Sequence, residues 1–527
     1  MYACKQICRS ICARRNQFVK DILLDFREYR RYASRNCEIS NLLPVVGDMP
    51  EPINIDPQGY LIVKVNWKLA LKVFIVLALA FGAGFLPIPG LTGTARICLM
   101  IFVGAAGFWI TEAIPPFATA IMVIVLSVYF LAATYHPTGV ESGLLSYQVF
   151  LNPIASPVLV LFFGGFILEA AAVKHGFDLR LTKALIKPFG TNPRMVLLGV
   201  IVTTAVFSMF MSNTAATAMM FAAFMPLFRS FEGRGQFRKA LILAVPFAAN
   251  IGGMGTIIGT PPNAVAASVL GELGYSISFL KWMVVGVPMM TVLIFLLWFV
   301  LLKAFKPRAE KFEILFPEPL APTWDFLLVV ITFFVTVFLW VTEALHHIPA
   351  GVVALLPVMI FTMFGIIGRE DLKKLEWDVL ILVAGGMALG VAMKSSGLSD
   401  VLVGMISFQN LSPIIFLLVI ALVTIIVSNF MSHTSASNLL IPIVTSLTVI
   451  APPSGSSPIT QLGTLGVAFA ASLAMSLPIS TPPNAIAFAT REITTREMAE
   501  YGTMVSLLGV LVILLMLMGF WYLKMIT

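Results

Sequence analysis

Charged residues are scarce in this chain of 527 residues: they make up 11% of it, against roughly a quarter of an ordinary soluble domain. Apolar residues make up 59%. Residues 1–66 hold 10 of the 34 Lys and Arg residues and 7 of the 26 Asp and Glu residues, so the remainder is poorer still in charge. A water-soluble globule is excluded, and the net charge of +8 gives no sign of nucleic-acid binding. We expect a membrane domain over residues 67–527.

Cysteine is also rare, which excludes a disulfide framework. Cys98 lies in an apolar run, and the other four cysteines lie in a polar leader, residues 1–66: Cys4, Cys8, Cys12 and Cys37. The leader lacks the apolar core of a signal peptide, so we expect it on the cytoplasmic side of the membrane. Apolar residues at helical spacing, Phe18, Ile22, Phe26 and Tyr29, are typical of an amphipathic helix on a lipid surface, and a partly disordered tail is the alternative.

Signatures of catalysis are missing. The sequence contains no H-E-x-x-H, no G-x-S-x-G and no pair of aspartates within an apolar segment. We therefore expect no enzyme, although a membrane-embedded enzyme is kept as a competing class.

Apolar stretches of about 20 residues, the length that a hydrocarbon core demands, recur along the chain. If segments 195–225 and 412–450 are re-entrant hairpins, about eleven transmembrane helices remain. Lys and Arg then collect on the cytoplasmic side, apart from Arg96, Lys281 and Lys524, in agreement with the positive-inside rule. This count predicts a cytoplasmic N-terminus and an external C-terminus in a plasma or inner membrane.

Four sequence landmarks occur twice in the same order, which indicates an internal duplication. The pairs are WITEAIPP and WVTEALHH, GGFIL and GGMAL, MSNTAAT and MSHTSAS, and GTPPNAVA and STPPNAIA. Each copy contains an odd number of crossings plus one hairpin, so the copies face opposite ways. Inverted repeats with interrupted helices are the architecture of secondary transporters.

The TPPN segments predict helices that break within the membrane. Consecutive prolines at Pro261–Pro262 and Pro482–Pro483 remove amide donors and push the preceding residue out of helical geometry. Lipid does not satisfy bare backbone groups, so such a break must face protein, water or a ligand. The freed carbonyls suit a hard cation, and the amide ends of the restarting helix suit an anion.

The hairpin tips carry Ser-Asn-Thr at 212–214 and Ser-His-Thr at 432–434. Ser208 and Ser428 precede these tips by one helical turn, a spacing that fits a cation held by two hydroxyls. Ser and Thr in membrane helices commonly serve close packing. Because two triplets occupy matching repeat positions, each with a TPPN break, we favour a binding site.

These motifs, with W-x-T-E-A, resemble those of the divalent anion/sodium symporter family over residues 67–527. The resemblance implies an all-α polytopic membrane protein that works as a homodimer, with a scaffold (67–190 and 306–410) and an elevator-like transport part (191–305 and 411–527). It implies Na⁺ ligation by Ser208, Ser212, Asn213 and the backbone at Gly259, and by Ser428, Ser432 and the backbone at Ser480. The substrate, a small dianion, would contact Asn213, Thr214, Thr434, Thr481 and Pro482.

His433 departs from the family pattern, which has asparagine at the second tip. Neutral imidazole is a poor Na⁺ ligand, but it donates hydrogen bonds to carboxylates, so we expect His433 to be a sixth substrate ligand. The substitution leaves open proton coupling, fewer Na⁺ ions, anion exchange, or a neutral donor that replaces the amide. Two other charged positions are interpreted from their place in the sequence: Glu169 as a paired structural charge, and Glu343 as a brace of the scaffold.

The sequence thus predicts a secondary transporter for a small dicarboxylate or tricarboxylate such as succinate, malate or citrate, coupled to Na⁺. The alternatives are a Na⁺-independent exchanger, a proton-coupled carrier that uses His433, a sulfate transporter and a channel.

Overall fold

The computed structural model describes residues 67–91, 93–132, 146–230, 236–306, 323–405, 411–450 and 459–524. The regular elements in these ranges are α-helices and three short 3-10 helices, without a β-strand. Helices suit lipid because they pair backbone donors and acceptors within one segment. The predicted amphipathic helix and the four leader cysteines lie outside the described residues. Residues Lys68–Thr527 form one compact unit.

Eleven α-helices lie in the described residues of the first half. They are α1 (Trp67–Ala83), α2 (Gly93–Thr111), α3 (Pro116–Leu131), α4 (Gln148–Leu151), α5 (Pro157–Lys174), α6 (Phe177–Ile186), α7 (Pro193–Ser208), α8 (Asn213–Ser230), α9 (Phe237–Gly253), α10 (Pro261–Glu272) and α11 (Phe279–Ala304). Short 3-10 helices cover Asn152–Ala155, Lys187–Phe189 and Ile257–Gly259.

The second half contributes twelve more α-helices among the described residues. They are α12 (Trp324–Val341), α13 (Glu343–His346), α14 (Ala350–Val353), α15 (Leu355–Met363), α16 (Arg369–Lys373), α17 (Trp377–Ser395), α18 (Leu398–Met405), α19 (Pro413–Phe430), α20 (His433–Ile450), α21 (Ile459–Ser472), α22 (Pro482–Ala489) and α23 (Thr495–Tyr522).

Several long helices begin at a short polar residue followed by proline. The hydroxyls of Ser156 and Ser412 accept from the backbone N–H three residues on, and the amide oxygen of Asn192 accepts from the N–H of Arg194. Proline then occupies the first helical position, where no intrahelical donor is needed. These caps fix where α5, α7 and α19 start.

Within the described ranges, seven helical segments are long and apolar enough to cross a membrane: Gly93–Thr111, Gln148–Lys174, Phe279–Ala304, Trp324–Val341, Trp377–Ser395, Pro413–Phe430 and Thr495–Tyr522. Four shorter apolar segments accompany them: Pro116–Leu131, Pro193–Ser208, Ala350–Met363 and Ile459–Ser472. The count of eleven crossings remains a prediction.

The helix pairs α7–α8 and α19–α20 approach the bundle from opposite ends. Lys174, at the end of α5, pairs with Asp371 at 2.6 Å, just before α17 begins, and α6 follows α5 at that same end. There Gly199 of α7 lies against Ile186 of α6. At the other end of α17, the hydroxyl of Ser446 on α20 donates to the hydroxyl of Ser399 on α18 at 2.8 Å.

An ion pair joins Lys174, at the end of α5, to Asp371 of α16, which lies outside the spanning segments. The backbone N–H of Gly368 donates to the carboxylate of Asp371 at 2.9 Å, and Lys174 binds the same carboxylate. These two donors hold the pKa of Asp371 below its usual value, the backbone hydrogen bond first. The end of α5 is thereby fixed to the segment that precedes α17.

A glycine of the following long helix contacts the unwound segment before each TPPN motif. A Cβ atom on Gly286 of α11 would lie 2.5 Å from the carbonyl oxygen of Met254, and one on Gly502 of α23 would lie 2.4 Å from that of Met475. Only glycine permits this approach. The indole N–H of Trp282 donates to Met254 O at 3.1 Å. Both breaks are therefore packed tightly against a continuous helix.

Candidate functional site

The two hairpin tips and the two TPPN segments line one cavity of about 270 Å³. All six predicted substrate ligands lie on its wall: Asn213, Thr214, His433, Thr434, Thr481 and Pro482. Four predicted Na⁺ ligands lie there as well: Ser212, Gly259, Ser432 and Ser480. Ser208 and Ser428 are fully buried outside the cavity wall. The residues that the sequence singled out are thus brought together, although they come from four separate segments.

Oxygen atoms converge behind the first tip. The hydroxyl of Ser208 donates to the carbonyl oxygen of Ala249 at 2.8 Å. In the orientation that satisfies its hydrogen bonds, the amide nitrogen of Asn213 lies 2.6 Å from Ser208 Oγ and donates to Ala249 O at 3.0 Å and Gly259 O at 3.2 Å. With the amide turned over, Asn213 Oδ1 would join three other oxygens, the donor set that a hard cation prefers. This cluster therefore fits Na⁺.

Gly259 has no room for a side chain. A Cβ atom there would lie 2.4 Å from the carbonyl oxygen of Gly253 and 2.9 Å from that of Ser208. The absence of a Cβ atom lets three backbone segments meet around the oxygen cluster. A glycine at this position is thus required by the close approach of backbone carbonyls.

The second tip repeats only part of this arrangement. The hydroxyl of Ser428 donates to Ala471 O at 3.2 Å, as Ser208 does to Ala249 O. The imidazole Nε2 of His433 lies 2.9 Å from Ala474 O, which requires a hydrogen on that nitrogen. His433 is almost fully buried. At this tip a fixed N–H donor therefore engages a backbone carbonyl oxygen, the kind of atom that would otherwise ligate a cation.

Ser432 and Ser480, the other predicted ligands of the second site, are engaged locally. The hydroxyl of Ser432 donates to the hydroxyl of Ser435 at 2.8 Å, and that of Ser480 donates to Leu477 O at 2.7 Å. These bonds satisfy both hydroxyls within their own turns.

The asparagine of each TPPN motif satisfies the carbonyls that the break exposes. Asn263 Nδ2 donates to Gly253 O at 2.9 Å and to Thr256 O at 2.7 Å. Asn484 Nδ2 donates to Met475 O and Leu477 O, both at 3.0 Å. The same amide thus closes the unwound segment in both copies. These four carbonyls accept from the amide of their own motif, whereas Ala249 O and Gly259 O accept from Asn213 at the hairpin tip.

Two carboxylates meet at Ser212, an arrangement that sequence reasoning missed. The backbone N–H of Ser212 donates to Glu169 Oε2 at 2.9 Å, and its hydroxyl donates to Glu376 Oε1 at 2.9 Å. Glu169 Oε1 is 3.4 Å from the same hydroxyl. In the described part of the chain the carboxylate of Glu169 accepts from Ser212 and no cationic side chain pairs with it, so its interpretation as a paired structural charge stays a prediction. Its place directly after the repeated GGFIL segment was the available signal.

The cavity carries acidic rather than basic side chains. Glu376 and Asp378, at the start of α17, lie on its wall, and the wall residues that the structure describes include neither Lys nor Arg. Hydroxyls and amides supply the hydrogen-bond donors for a carboxylate. An anion bound here gains no compensation from a permanent cationic side chain.

A second cavity, of about 1080 Å³, lies toward the opposite ends of α5 and α17. Its wall includes Glu272, Glu343 and Lys394. Ser156 and Leu161 of the α5 segment line it, whereas Phe162 and Phe166 line the smaller cavity. The two cavities are thus separated along the same helices.

This fold and this cavity define an integral membrane protein with the construction of a transporter. Residues 106–461 match the family model described as "Citrate transporter". The chain therefore belongs to the citrate transporter family.

Curated relatives cover most of the chain. A sodium-dependent dicarboxylate transporter, SdcS, of Staphylococcus saprophyticus is 32% identical over 454 residues, which cover 79% of this chain and 84% of that protein. The SdcS protein of Staphylococcus aureus is 30% identical over the same shares.

Solved structures share the fold at low sequence identity. The YdaH transporter of Alcanivorax borkumensis has a TM-score of 0.52 at 13% identity, covering 78% of this chain and 99% of that one. MtrF of Neisseria gonorrhoeae has the same TM-score and identity, covering 78% and 96%.

Proposed function

We propose that this protein is a secondary active transporter that carries a small dicarboxylate across a membrane together with Na⁺. Its curated relatives are named as sodium-dependent dicarboxylate transporters. The observation that carries the proposal is the cavity in which both tips and both TPPN segments meet. Its wall carries neutral hydroxyl and amide groups that can donate hydrogen bonds to carboxylates.

The charges of the cavity favour coupling to cations. A dianion that enters a cavity beside Glu376 and Asp378 is repelled unless positive charge enters with it. The oxygen cluster of Ser208, Asn213, Ala249 and Gly259 provides a place for Na⁺ directly behind the first tip. Binding of the ion favours binding of the anion, and this mutual dependence is coupling.

Alternating access follows from the way in which the hairpins enter. We assign residues 191–305 and 411–527 to an elevator-type transport part and residues 67–190 and 306–410 to a scaffold, related by an inverted repeat. The hairpins approach from opposite ends of the bundle, and the two cavities lie toward opposite ends of α5 and α17. The scaffold would form the contact of a homodimer. The N-terminus would face the cytoplasm and the C-terminus the outside.

The hydrogen bonds at the second tip favour coupling to fewer Na⁺ ions. The imidazole N–H of His433 already binds Ala474 O, so a hydrogen bond stands where the first tip has a cluster of oxygens. We infer that the first site is the principal Na⁺ site. Exchange of internal for external dicarboxylate is the alternative that this geometry favours.

The test is uptake of radiolabelled succinate, malate or citrate by the purified protein in liposomes. Uptake should rise when Na⁺ is added outside, and Asn213→Ala should abolish it. Ser446→Ala, far from the cavity on the same kind of hairpin helix, is the matched control. Uptake that ignores Na⁺ but requires internal dicarboxylate would establish exchange instead. The absence of any dicarboxylate uptake, with the fold intact, would overturn the proposal.

A further inference from the structure

A third cavity, of about 440 Å³, lies where α11 begins and α23 ends. Two lysines line it: Lys281 in the first turn of α11, and Lys524 two residues after the end of α23. Both are exceptions to the predicted positive-inside distribution. Among the residues that the structure describes, the wall contains neither Asp nor Glu, and neither lysine forms an ion pair. Two positive charges therefore border one cavity without a counter-charge.

A buried amide on the wall of this cavity also lacks a partner. Gln461, near the start of α21, is only 5% exposed, and its side chain makes no hydrogen bond in the described part of the chain. Other buried polar groups without a partner, such as Thr203 Oγ1, are sealed inside the protein, whereas the Oε1 and Nε2 atoms of Gln461 remain accessible. Because Gln461 lines the cavity, that access is from the cavity. Buried polar groups nearly always have a partner, so this amide points to a polar ligand.

Lys281 lies at the end of α11 that disfavours a cation. The hydroxyl of Ser278 accepts from the backbone N–H of Lys281 at 3.3 Å and so fixes the start of this helix. The first turn contains no acidic residue. The free N–H groups at a helix start carry partial positive charge, which repels a basic side chain placed there. An anion in the cavity would offset both the lysine and the helix end.

The floor of the cavity is held in place by a tryptophan. The indole N–H of Trp282 donates to Met254 O at 3.1 Å, and its ring lies 5.6 Å from that of Phe469. Trp282 and Phe469 both line the cavity and are fully buried. The shape of the cavity is therefore set by packing between α11 and α21 and does not depend on a ligand.

The surface beside the two lysines is apolar. Leu280 and Val284 of α11 are exposed, as are Tyr522 and Leu523 next to Lys524. Exposed apolar side chains that end at tyrosine and lysine are typical of the boundary between hydrocarbon and lipid headgroups. A lipid whose acyl chains lie on this surface would therefore bring its headgroup to the cavity.

We propose that this cavity binds a phosphate group and that an anionic phospholipid supplies it. The ammonium groups of Lys281 and Lys524 would neutralise the phosphate, and the amide N–H of Gln461 would donate to one of its oxygens. Basic pockets between membrane helices bind lipid headgroups by this chemistry. The site shares no wall residue with the cavity of the two tips, so its occupancy is testable without a transport assay.

The test is the unfolding temperature of the purified full-length protein in a neutral detergent, with phosphatidylglycerol, phosphatidylcholine or inorganic phosphate added. A ligand that binds the folded protein raises this temperature as its concentration rises. We expect phosphatidylglycerol to raise it and phosphatidylcholine to raise it less, because only the former carries a net negative charge. Inorganic phosphate should have little effect at equal concentration, because it lacks the acyl chains that contact the apolar surface.

Variants of the wall separate this site from general lipid effects. Lys281→Gln combined with Lys524→Gln should raise the half-saturating concentration of phosphatidylglycerol roughly tenfold or more. Gln461→Glu places a carboxylate in the same space and should abolish the stabilisation, which keeps the test decisive if the double lysine variant does not fold. Lys303→Gln combined with Lys306→Gln removes the same charge at the other end of α11 and should leave the stabilisation intact.

Several results would contradict this assignment. Equal stabilisation by the two lipids would show that the lysines do not recognise a net negative charge. Equal stabilisation by inorganic phosphate would make the cavity a site for a free anion and would overturn the lipid as its source. If the control pair at the other end of α11 loses as much stabilisation as the pair at the cavity, overall charge rather than this site explains the effect.

Discussion

The hydroxyl of Ser212 donates to Glu376 at 2.9 Å and so connects the first hairpin tip to the start of α17. The two residues lie 164 positions apart in the chain. The contact joins the proposed transport part to the proposed scaffold. It holds the residue that immediately precedes Asn213 and Thr214, and we expect it to orient both for the substrate.

Replacement of Glu376 tests this contact. Glu376→Ala removes the nearer of the two carboxylates that the hydroxyl of Ser212 contacts and leaves Glu169 Oε1 at 3.4 Å. A hydrogen bond to a charged group contributes about 1.5–3 kcal/mol. We expect dicarboxylate kcat/KM in liposomes to fall by roughly tenfold or more. Glu376→Gln keeps an acceptor oxygen and should retain most of the activity. If the glutamine variant is as impaired as the alanine variant, the charge rather than the hydrogen bond is what matters. Glu370→Ala, which removes an exposed pair with Lys373, is the control.

Addition of one methyl group at Gly259 should eliminate the first ion site. A Cβ atom there would clash with the carbonyl oxygens of Gly253 and Ser208, so the oxygen cluster must open. Gly259→Ala should abolish the stimulation of uptake by Na⁺. Gly271→Ala is the matched control, since a Cβ atom on that glycine of α10 meets nothing within 4 Å. Equal Na⁺ dependence in the two variants would contradict a cation site at Gly259.

The asparagines of the TPPN motifs should matter for stability. Asn263→Leu and Asn484→Leu each remove the amide donor of two carbonyls. Thr256 O keeps the backbone N–H of Gly259 and Leu477 O keeps the hydroxyl of Ser480, so Gly253 O and Met475 O are the carbonyls that lose their donor, at a cost of about 1–3 kcal/mol in each variant. We expect both variants to lower the unfolding temperature of the purified protein in detergent. Thr217→Val, which removes a buried hydroxyl without a partner, should be neutral or stabilising. A melting temperature unchanged by either leucine variant would show that these amides are not structural.

Much of this arrangement is predictable from the sequence, and the reasons are physical. Apolar length predicts membrane helices, and consecutive prolines predict where α10 and α22 begin. Internal repetition predicts that 212–214 and 432–434 play related roles, and the structure places both tips on one cavity. Helix length and the position of a proline break depend on local geometry, which neighbouring residues determine.

The contacts that the sequence does not reveal are long-range. Glu169 and Glu376 reach Ser212 from helices far apart in the chain, and their spacing carries no periodic signal. The role of Asn263 is similarly hidden, because the motif suggests free carbonyls whereas its own amide satisfies two of them. Hydrogen-bond partners depend on tertiary packing, which cannot be read from a single sequence.

The difference between the two tips leads to a prediction on ion dependence. Because His433 donates to Ala474 O, the second tip lacks the oxygen that asparagine would supply there. We expect His433→Asn to increase the steepness of uptake against Na⁺ concentration, as a second ion becomes necessary. Ser428→Ala should change the Na⁺ dependence little by itself.

The double variant decides whether this gain comes from an ion at the second tip. Ser428 donates to Ala471 O in the same position as Ser208 at the first tip, so a new ion would use its hydroxyl. Ser428→Ala combined with His433→Asn should therefore lose the added steepness, a non-additive effect typical of residues that share a ligand. If the steepness rises in His433→Asn and persists in the double variant, the extra ion binds elsewhere. If it never rises, His433 is only a neutral donor in place of an amide.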